Sequence, residues 1–261
     1  MLSPLEHVNE FSPGQFYTKD ADSDSRTMSV GGTIGKTLIC LTVLTASFYY
    51  AWQTVAVGDA LRAVTILIVS GVLALLFGAI IWLGSIKNPV MVLLFSAFEG
   101  GFIGSAVGFL NRAYPGIAFV GLLVSAAIFA VMLTGYGLRI FQVTMSGVDM
   151  FLRAFLLYLL VAGLGAGLVF SGLLPPIVAS PVLLIVFAVL SIIAVWMASY
   201  NLLVEFDYIE TGVGNGLESE YEWLAAFSLV GALVWFYIEI LEFIWRFFGW
   251  IFRPVANLFS W

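Results

Sequence analysis

Two carboxylic acids lie within or beside long apolar stretches near the end of the chain. Asp207 follows the apolar residues 182–204, and Glu239 lies deep inside the next apolar stretch, 224–248. A charged side chain at the centre of a bilayer costs at least about 2.5–3.5 kcal/mol on insertion scales. An acid in such a place therefore indicates a functional site, and its chemistry would be proton binding or cation coordination.

Further acids have equally plausible structural roles. Glu99 lies near the middle of another apolar stretch, where it must be protonated, paired or next to water. A neutral acid hydrogen-bonded between helices and a functional acid remain equally open for it. Glu242 stands three residues after Glu239 and four before Arg246. That spacing favours an ion pair of Glu242 with Arg246, as its counter-charge, at the helix end; a pore or partner acid is the alternative for Glu242.

Asp207 also has a simple structural interpretation. It stands between Glu205 and Glu210, and glycines follow at Gly212 and Gly214. Such a group is typical of a solvated helix end before a turn. By itself Asp207 does not indicate more than that.

Composition places the whole chain in a membrane. Of its 261 residues 62% are hydrophobic and only 10% are charged, and the mean hydropathy is +1.07. A soluble domain has roughly 25% charged residues. The single cysteine, Cys40, excludes a disulfide within the chain, and the single histidine, His7, excludes a histidine-built metal site. The sequence therefore predicts a polytopic membrane protein.

Seven apolar runs are each close to the roughly 20 residues that a helix needs to cross a hydrocarbon core about 30 Å thick. Lipid cannot satisfy backbone polar groups, and continuous apolar runs lack the alternation of barrel strands. We expect an all-α membrane protein with seven transmembrane helices. The runs are 37–57, 63–85, 90–110, 117–138, 152–172, 182–204 and 224–248.

The chain divides into a membrane domain and two tails. Residues 1–33 are predicted to be a flexible polar and acidic tail, 34–248 the seven-helix domain, and 249–261 a short aromatic tail. The distribution of Lys and Arg mildly favours a cytoplasmic amino terminus. We expect an integral multi-pass protein, in the cell (plasma) membrane if the source is bacterial.

The third run contains a stripe of small residues. Gly100, Gly104 and Gly108 recur every four residues in EGGFIGSAVG. This spacing clears one helix face and lets a neighbouring backbone approach closely. Tight helix packing is the main interpretation.

Five segments of the chain, in this order, resemble the transmembrane Bax inhibitor motif (TMBIM) family, in its bacterial YccA-like branch. The resemblance runs from about residue 27 to 246. The segments are TMSVGGTIGKTLI (27–39), NPVMVLLFSAFEGGFIG (88–104), AYPGIAF (113–119), FDYIETGVGNG (206–216) and EWLAAFSLVGALVWFYIEILEF (222–243).

The resemblance implies a seven-helix bundle with the last helix at its centre. Characterised relatives act as pH-sensitive calcium leak channels, with a pair of acids on helices six and seven as the sensor. Asp207 matches the first acid by its place in FDYIE, and Glu239 matches the second by its place in YIEIL, where relatives often carry Asp. The relatives' arginine near the end of helix two is absent here, and Lys87 is the nearest cation.

Two carboxylates close together in a medium of low dielectric share a proton. Deprotonation would separate helices six and seven and offer oxygen ligands to calcium, with Asp207 and Glu239 as the candidate ligands. No resident cofactor is expected, and calcium is the candidate permeant ion. If a straight last helix keeps Asp207 away, Glu99 is the alternative partner of Glu239.

Two other functions remain open. A regulatory protein could bind a membrane protease or another partner through the glycine face and the acidic tail without conducting ions. A proton-coupled transporter also uses paired intramembrane acids. Besides the lipid bilayer, the expected partners are thus calcium or protons. The sequence contains no catalytic motif and no basic nucleic-acid surface, so neither an enzyme nor a nucleic-acid-binding protein is expected.

Overall fold

The chain folds as a bundle of helices. The structure is a computed structural model that describes residues 26–144, 147–148, 150–157, 160 and 181–256, with the backbone alone at 181–188 and 248–256. Within these ranges no strand occurs beyond one isolated bridge, so the all-α prediction is confirmed. The helices are α1 (Val30–Val57), α2 (Ala60–Gly84), α3 (Pro89–Ala113), α4 (Ile117–Gly137), α5 (150–157), α6 (Pro181–Gly214) and α7 (Tyr221–Ala256).

The long helices have the length and composition of membrane spans. Six of them, α1 to α4, α6 and α7, are apolar enough to cross a bilayer. Their outer side chains are exposed apolar groups, such as Leu75 and Trp82 on α2, as expected for a surface in contact with lipid. The predicted fifth run, 152–172, begins in α5, and most of it lies outside the described residues.

Helix α7 lies at the centre of the bundle, as predicted. It packs against α1, α3, α4 and α6, and Trp235 makes an edge contact of 5.3 Å with Phe155 of α5. Helix α2 packs chiefly against α3. A polar side chain on α7 is therefore surrounded by protein on most sides.

The glycine stripe of α3 lies against α1. A Cβ atom at Gly100 would overlap the carbonyl oxygen of Leu44, and one at Gly104 would overlap that of Phe48. At Gly108 it would crowd Val55 at 3.1 Å. The two helices run in the same direction and pack backbone to backbone, which is the close approach that the spacing predicts.

Three helix ends differ from the sequence boundaries. Helix α1 begins at Val30, inside the stretch expected to be tail, because the Ser29 side chain accepts a hydrogen bond of 3.0 Å from Gly32 N and caps it. Helix α6 continues to Gly214 and α7 begins at Tyr221. Asp207 consequently lies inside α6 rather than beyond its end.

The end of the bundle where α1 and α7 begin and α6 ends is called the N-terminal face below. Residues 26–29 run along it as a strap. Met28 N donates to Leu217 O at 2.6 Å, and Ser219 N donates to Arg26 O at 2.7 Å. The strap joins the start of α1 to the turn between α6 and α7.

Candidate functional site

Glu239 is buried in the middle of the central helix. The residue is 4% exposed. Its Oε1 accepts a hydrogen bond of 2.8 Å from the indole Nε1 of Trp235, which lies one turn earlier. The carboxylate therefore faces protein and not lipid. This is the environment in which an acid titrates or binds a cation rather than being solvated.

Asp207 belongs to a polar cluster near the N-terminal face. The Tyr136 hydroxyl at the end of α4 donates to Glu210 at 2.6 Å, and the Arg139 guanidinium donates to both oxygens of Glu210. Asp207, one turn before Glu210, interacts with Tyr136 and Arg139. The hydrogen bonds that Arg139 donates to Glu210 raise the pKa of the Arg139 guanidinium, so its charge is permanent.

Two side-chain contacts set the register of the antiparallel helices α6 and α7. The Ser228 hydroxyl of α7 donates to Glu205 of α6 at 2.6 Å. Further along, Arg246 of α7 donates to the Ser191 hydroxyl of α6 at 3.0 Å. The position of every other residue of α6 relative to α7 follows from these two contacts.

This register does not bring Asp207 and Glu239 together. Between the two fixed points, Glu239 lies level with about residue 196 of α6, which is about 11 residues before Asp207. At 1.5 Å per residue the two carboxylates are offset by roughly 16 Å along the helices. The structure thus shows two separate acids where the resemblance implies a pair sharing one proton.

Glu205 takes the position between α6 and α7 that was expected of Asp207. Its side chain is partly buried and accepts the hydrogen bond from Ser228. Across the part of the chain that the structure describes, no cation pairs with it. The sequence pattern predicted a solvated helix end for Glu205, because glycines follow at Gly212, Gly214 and Gly216.

Glu99 faces α7 from the other side. One turn earlier on α3, Phe95 makes an edge contact of 4.7 Å with Phe227 of α7. One turn later, Ile103 lines a cavity of about 300 Å³ between α3 and α7. Residues four apart share a helix face, so Glu99 lies on the face towards α7, between these two contacts.

Glu99 and Glu205 reach nearly the same level of α7. Counted from the contacts of α3, Glu99 lies opposite Gly231, where a Cβ atom would have no other atom within 4 Å. Ser228, the partner of Glu205, is three residues earlier, or about 5 Å along the helix. Glu239 is eight residues beyond Gly231, about 12 Å, so Glu99 is not its immediate neighbour either.

Glu242 and Arg246 form the predicted ion pair at 2.8 Å. Of the two it is Glu242 that lines the cavity between α3 and α7. Among the described residues, no three His, Cys, Asp or Glu side chains are grouped as metal ligands. The acids along α7 are therefore spread over several levels rather than gathered at one.

Glu222 is a buried acid that the sequence analysis did not single out. It is 5% exposed at the start of α7. Its carboxylate accepts hydrogen bonds from Ser29 N at 2.8 Å and Ser29 Oγ at 3.1 Å, and pairs with Lys36 at 2.9 Å. A Cβ atom at Gly32 would overlap it. The one available signal was its place in the first turn of a helix, where an acid is favoured.

Comparison with protein families matches the chain over residues 9–249 to the family described as Bax inhibitor 1 like. The chain belongs to the Bax inhibitor 1 like family. It is thus an integral multi-pass membrane protein of that family. Comparisons with curated proteins and with solved structures gave no match.

The positive charge beside Asp207 in this Bax inhibitor 1 like chain comes from the residues that follow α4 rather than from the end of α2. Lys87 is the predicted counter-charge, but it pairs with other acids. Its Nζ lies 3.5 Å from Oε2 of Glu218 and 3.7 Å from Oε2 of Glu220. Arg139, in the first residues after α4, is the cation near Asp207. No spacing along the sequence indicates this proximity, because the two residues are 68 positions apart.

Proposed function

We propose that this Bax inhibitor 1 like protein is a pH-sensitive cation leak of its membrane, with calcium as the permeant ion. The observation that carries the proposal is Glu239, a carboxylate buried in the middle of α7, the helix against which α1, α3, α4 and α6 pack. The family membership supports the membrane bundle, and the resemblance to calcium leak channels supports the ion. Calcium prefers oxygen ligands of this kind.

The acids along α7 divide the route into steps. Glu99 and Glu205 lie at one height along α7. Glu239 lies at a second height, and Glu242 lies at a third, near the opposite end of the bundle. A buried carboxylate is costly when alone, and a passing cation offsets that cost. A series of acids about 5–12 Å apart therefore supports movement of a cation between successive sites better than one deep site would.

Asp207 has a different part in this proposal from the one that the resemblance implies. Because roughly 16 Å separates it from Glu239 along the helices, the two act as separate groups. Asp207 and Glu210 with Arg139 lie near the N-terminal face. There they set the electrostatic environment at the entrance, and Glu239 acts within the bundle.

The expected pH dependence follows from the charge of the acids. A protonated carboxylic acid offers a cation no negative charge, whereas the ionised form attracts it. Cation flux is therefore expected to be low at acidic pH and to rise as the pH rises. The opposite sign, with flux increasing on acidification, would contradict the proposal.

The test is calcium flux in liposomes that contain the purified protein and an enclosed calcium indicator, measured over a series of pH values. Glu239→Gln is expected to reduce the flux and to flatten its pH dependence, because the neutral amide cannot ionise. Glu220→Gln changes an exposed acid outside the bundle interior and serves as the control. Wild-type protein that carries no cation at any pH would refute the proposed function.

We also propose that the N-terminal face is cytoplasmic and that the membrane is the plasma membrane if the source is bacterial. The Lys and Arg residues near this face, Lys36, Lys87 and Arg139 among them, outnumber those at the other end. A reporter fused to the amino terminus should be protected from protease in intact cells. Cleavage in intact cells would reverse the assignment.

A further inference from the structure

We infer that a cavity at the N-terminal face binds the headgroup of a zwitterionic aminophospholipid, with phosphatidylethanolamine as its simplest form. The cavity lies between the turn that joins α2 to α3 and the turn that precedes α7. It is separate from the acids inside the bundle, so the inference does not rest on the proposed leak.

The cavity is large enough for a lipid headgroup. Its volume is about 540 Å³, within the roughly 300–1,000 Å³ that is usual for small-molecule sites. The lining comes chiefly from three parts of the chain: Ile86, Lys87 and Asn88 in the α2–α3 turn, Trp223 in the first turn of α7, and Lys36 in α1. The turn and the start of α7 lie where the membrane spans begin or end, which is the level of lipid headgroups.

Lys87 presents an ammonium group that has no hydrogen-bond acceptor in the described part of the chain. Its Nζ lies 3.5 Å from Glu218 Oε2 and 3.7 Å from Glu220 Oε2, whereas a charge-assisted hydrogen bond is about 2.7–2.9 Å long. The ring of Tyr221, with its centroid 3.9 Å from Nζ, covers one side of the ammonium. The ammonium hydrogens are therefore available to an anionic group in the cavity.

Lys36 differs from Lys87, because its charge is already used by the fold. It donates to Ser219 O at 2.8 Å and pairs with Glu222 at 2.9 Å. Lys36 consequently fixes the start of α7 beside the cavity, and Lys87 is the lysine that binds the phosphate of the ligand.

Asn88 adds a second donor beside Lys87. Its Oδ1 accepts a hydrogen bond of 2.8 Å from Val90 N and caps α3, which fixes the side chain. Among the residues that the structure describes, none accepts a hydrogen bond from its amide nitrogen. The NH2 group of Asn88 and the ammonium of Lys87 can thus both donate to the oxygens of one phosphate.

The charges around the cavity favour a ligand that carries both signs. Two ammonium groups and three carboxylates lie there, those of Lys36, Lys87, Glu218, Glu220 and Glu222. A simple anion would meet more negative than positive charge, and a simple cation would be repelled by Lys87. A phosphoethanolamine group places its phosphate at Lys87 and Asn88 and donates from its ammonium to the carboxylates before α7.

The position of the cavity points to a lipid as the source of this group. Leu83 near the end of α2 and Val90 near the start of α3 are exposed apolar residues on either side of the turn that carries Lys87. Trp82 is exposed beside them and has the amphipathic ring that favours the headgroup level. Acyl chains can lie on this surface while the headgroup enters the cavity.

Native mass spectrometry of the purified full-length protein tests the inference by counting bound lipid. The protein in detergent is titrated with phosphatidylethanolamine, phosphatidylcholine and phosphatidylglycerol that carry the same acyl chains. One phosphatidylethanolamine is expected to bind about tenfold more tightly than either of the others. The quaternary ammonium of phosphatidylcholine has no N–H donor and phosphatidylglycerol has no ammonium, so each loses hydrogen bonds to the carboxylates.

Lys87→Gln is expected to weaken the binding of phosphatidylethanolamine about tenfold, because a neutral amide replaces the charged donor. Arg62→Gln is the matched control. Arg62 is an exposed cation paired with Asp59 at the start of α2, at the opposite end of the bundle, and its loss should leave lipid binding unchanged. Thermal unfolding without added lipid shows that both variants are folded. Added phosphatidylethanolamine should raise the unfolding temperature of Arg62→Gln and not that of Lys87→Gln.

Equal affinity for the three lipids would overturn the inference, and so would binding of phosphatidylethanolamine that Lys87→Gln leaves unchanged. Tighter binding of phosphatidylglycerol would assign the cavity to an anion instead. Soluble phosphoethanolamine and inorganic phosphate are added as competitors, and neither is expected to displace the lipid at a concentration equal to that of the lipid. Displacement by phosphoethanolamine under this condition would assign the cavity to a soluble ligand and contradict the lipid source.

Discussion

At the scale of the residue, the buried acids of this protein differ in what holds their charge. Glu222 has a lysine and two donors from Ser29, so its ionised form is stabilised. Glu205 has one hydroxyl, and Glu239 accepts from an indole. The first arrangement is typical of a structural group, and the others fit acids that exchange a proton or a cation.

Replacement of Glu222 by alanine is expected to lower the free energy of unfolding by about 3 kcal/mol, because it leaves Lys36 and the start of α1 without their buried partner. Thermal unfolding in detergent measures the change. Glu220→Ala is the control, since its side chain is 68% exposed and its loss should cost less than about 1 kcal/mol. Equal effects of the two substitutions would show that the contacts of Glu222 with Lys36 and Ser29 do not stabilise the fold.

Gly104 tests the close contact of α3 with α1. Alanine there would overlap the Phe48 backbone, and it is expected to destabilise the protein by about 1–3 kcal/mol, since backbone cannot move aside cheaply. Gly35→Ala, in α1, meets no atom within 4 Å and should be neutral or stabilising, by up to about 1 kcal/mol. The measurement is again the shift of the unfolding transition, and a neutral Gly104→Ala would argue against this packing.

At the scale of the element, the decisive property is the register of α6 against α7. It is set by contacts at both ends of the interface. It decides that Glu205, and not Asp207, lies against α7. One helix would have to shift by about 16 Å along the other to bring Asp207 level with Glu239. That distance is about three turns of helix, which is more than a packed interface allows.

Disulfide trapping tests the register. In the Cys40→Ala background, the double variant Glu205→Cys with Ser228→Cys should cross-link under mild oxidation, because these side chains are in contact and a disulfide needs Cα atoms within about 7 Å. Asp207→Cys with Glu239→Cys should not cross-link. Peptide mapping after oxidation gives the result, and efficient linkage of the second pair would restore the direct pair of acids.

At the scale of the whole molecule, the strap of residues 26–29 connects the amino-terminal end of the chain to the start of the central helix. Its two backbone hydrogen bonds and the Ser29 contacts with Glu222 close the N-terminal face. Any movement of α7 relative to α1 must break them. The strap therefore couples the position of the chain before α1 to that of α7.

A protein that begins at Val30 should unfold at a lower temperature than one that begins at Arg26. Loss of the two backbone hydrogen bonds, of the two hydrogen bonds from Ser29 to Glu222 and of the Ser29 cap, at about 1 kcal/mol each, predicts a decrease of roughly 5 kcal/mol in the free energy of unfolding. Both shortened proteins lack the same preceding residues, so the comparison isolates the strap. Identical unfolding transitions would show that the strap does not contribute to stability.

The sequence by itself determined that this chain is a bundle of membrane-spanning helices. Insertion into lipid depends on the apolarity of each run, and the hydrogen bonds of a helix are local to it, so both can be read from consecutive residues. The glycine spacing of α3 and the Glu242–Arg246 pair were predictable for the same reason, since each lies within one helix.

Only the tertiary structure decided which acids meet which partners. Glu205 with Ser228, Glu222 with Ser29, and Asp207 near Arg139 join residues that lie far apart in the sequence. Their proximity depends on how far α6 and α7 extend, on the register of the two helices and on the rotation of each helix about its axis. These are set by the packing of many side chains at once, so no spacing along the chain records them.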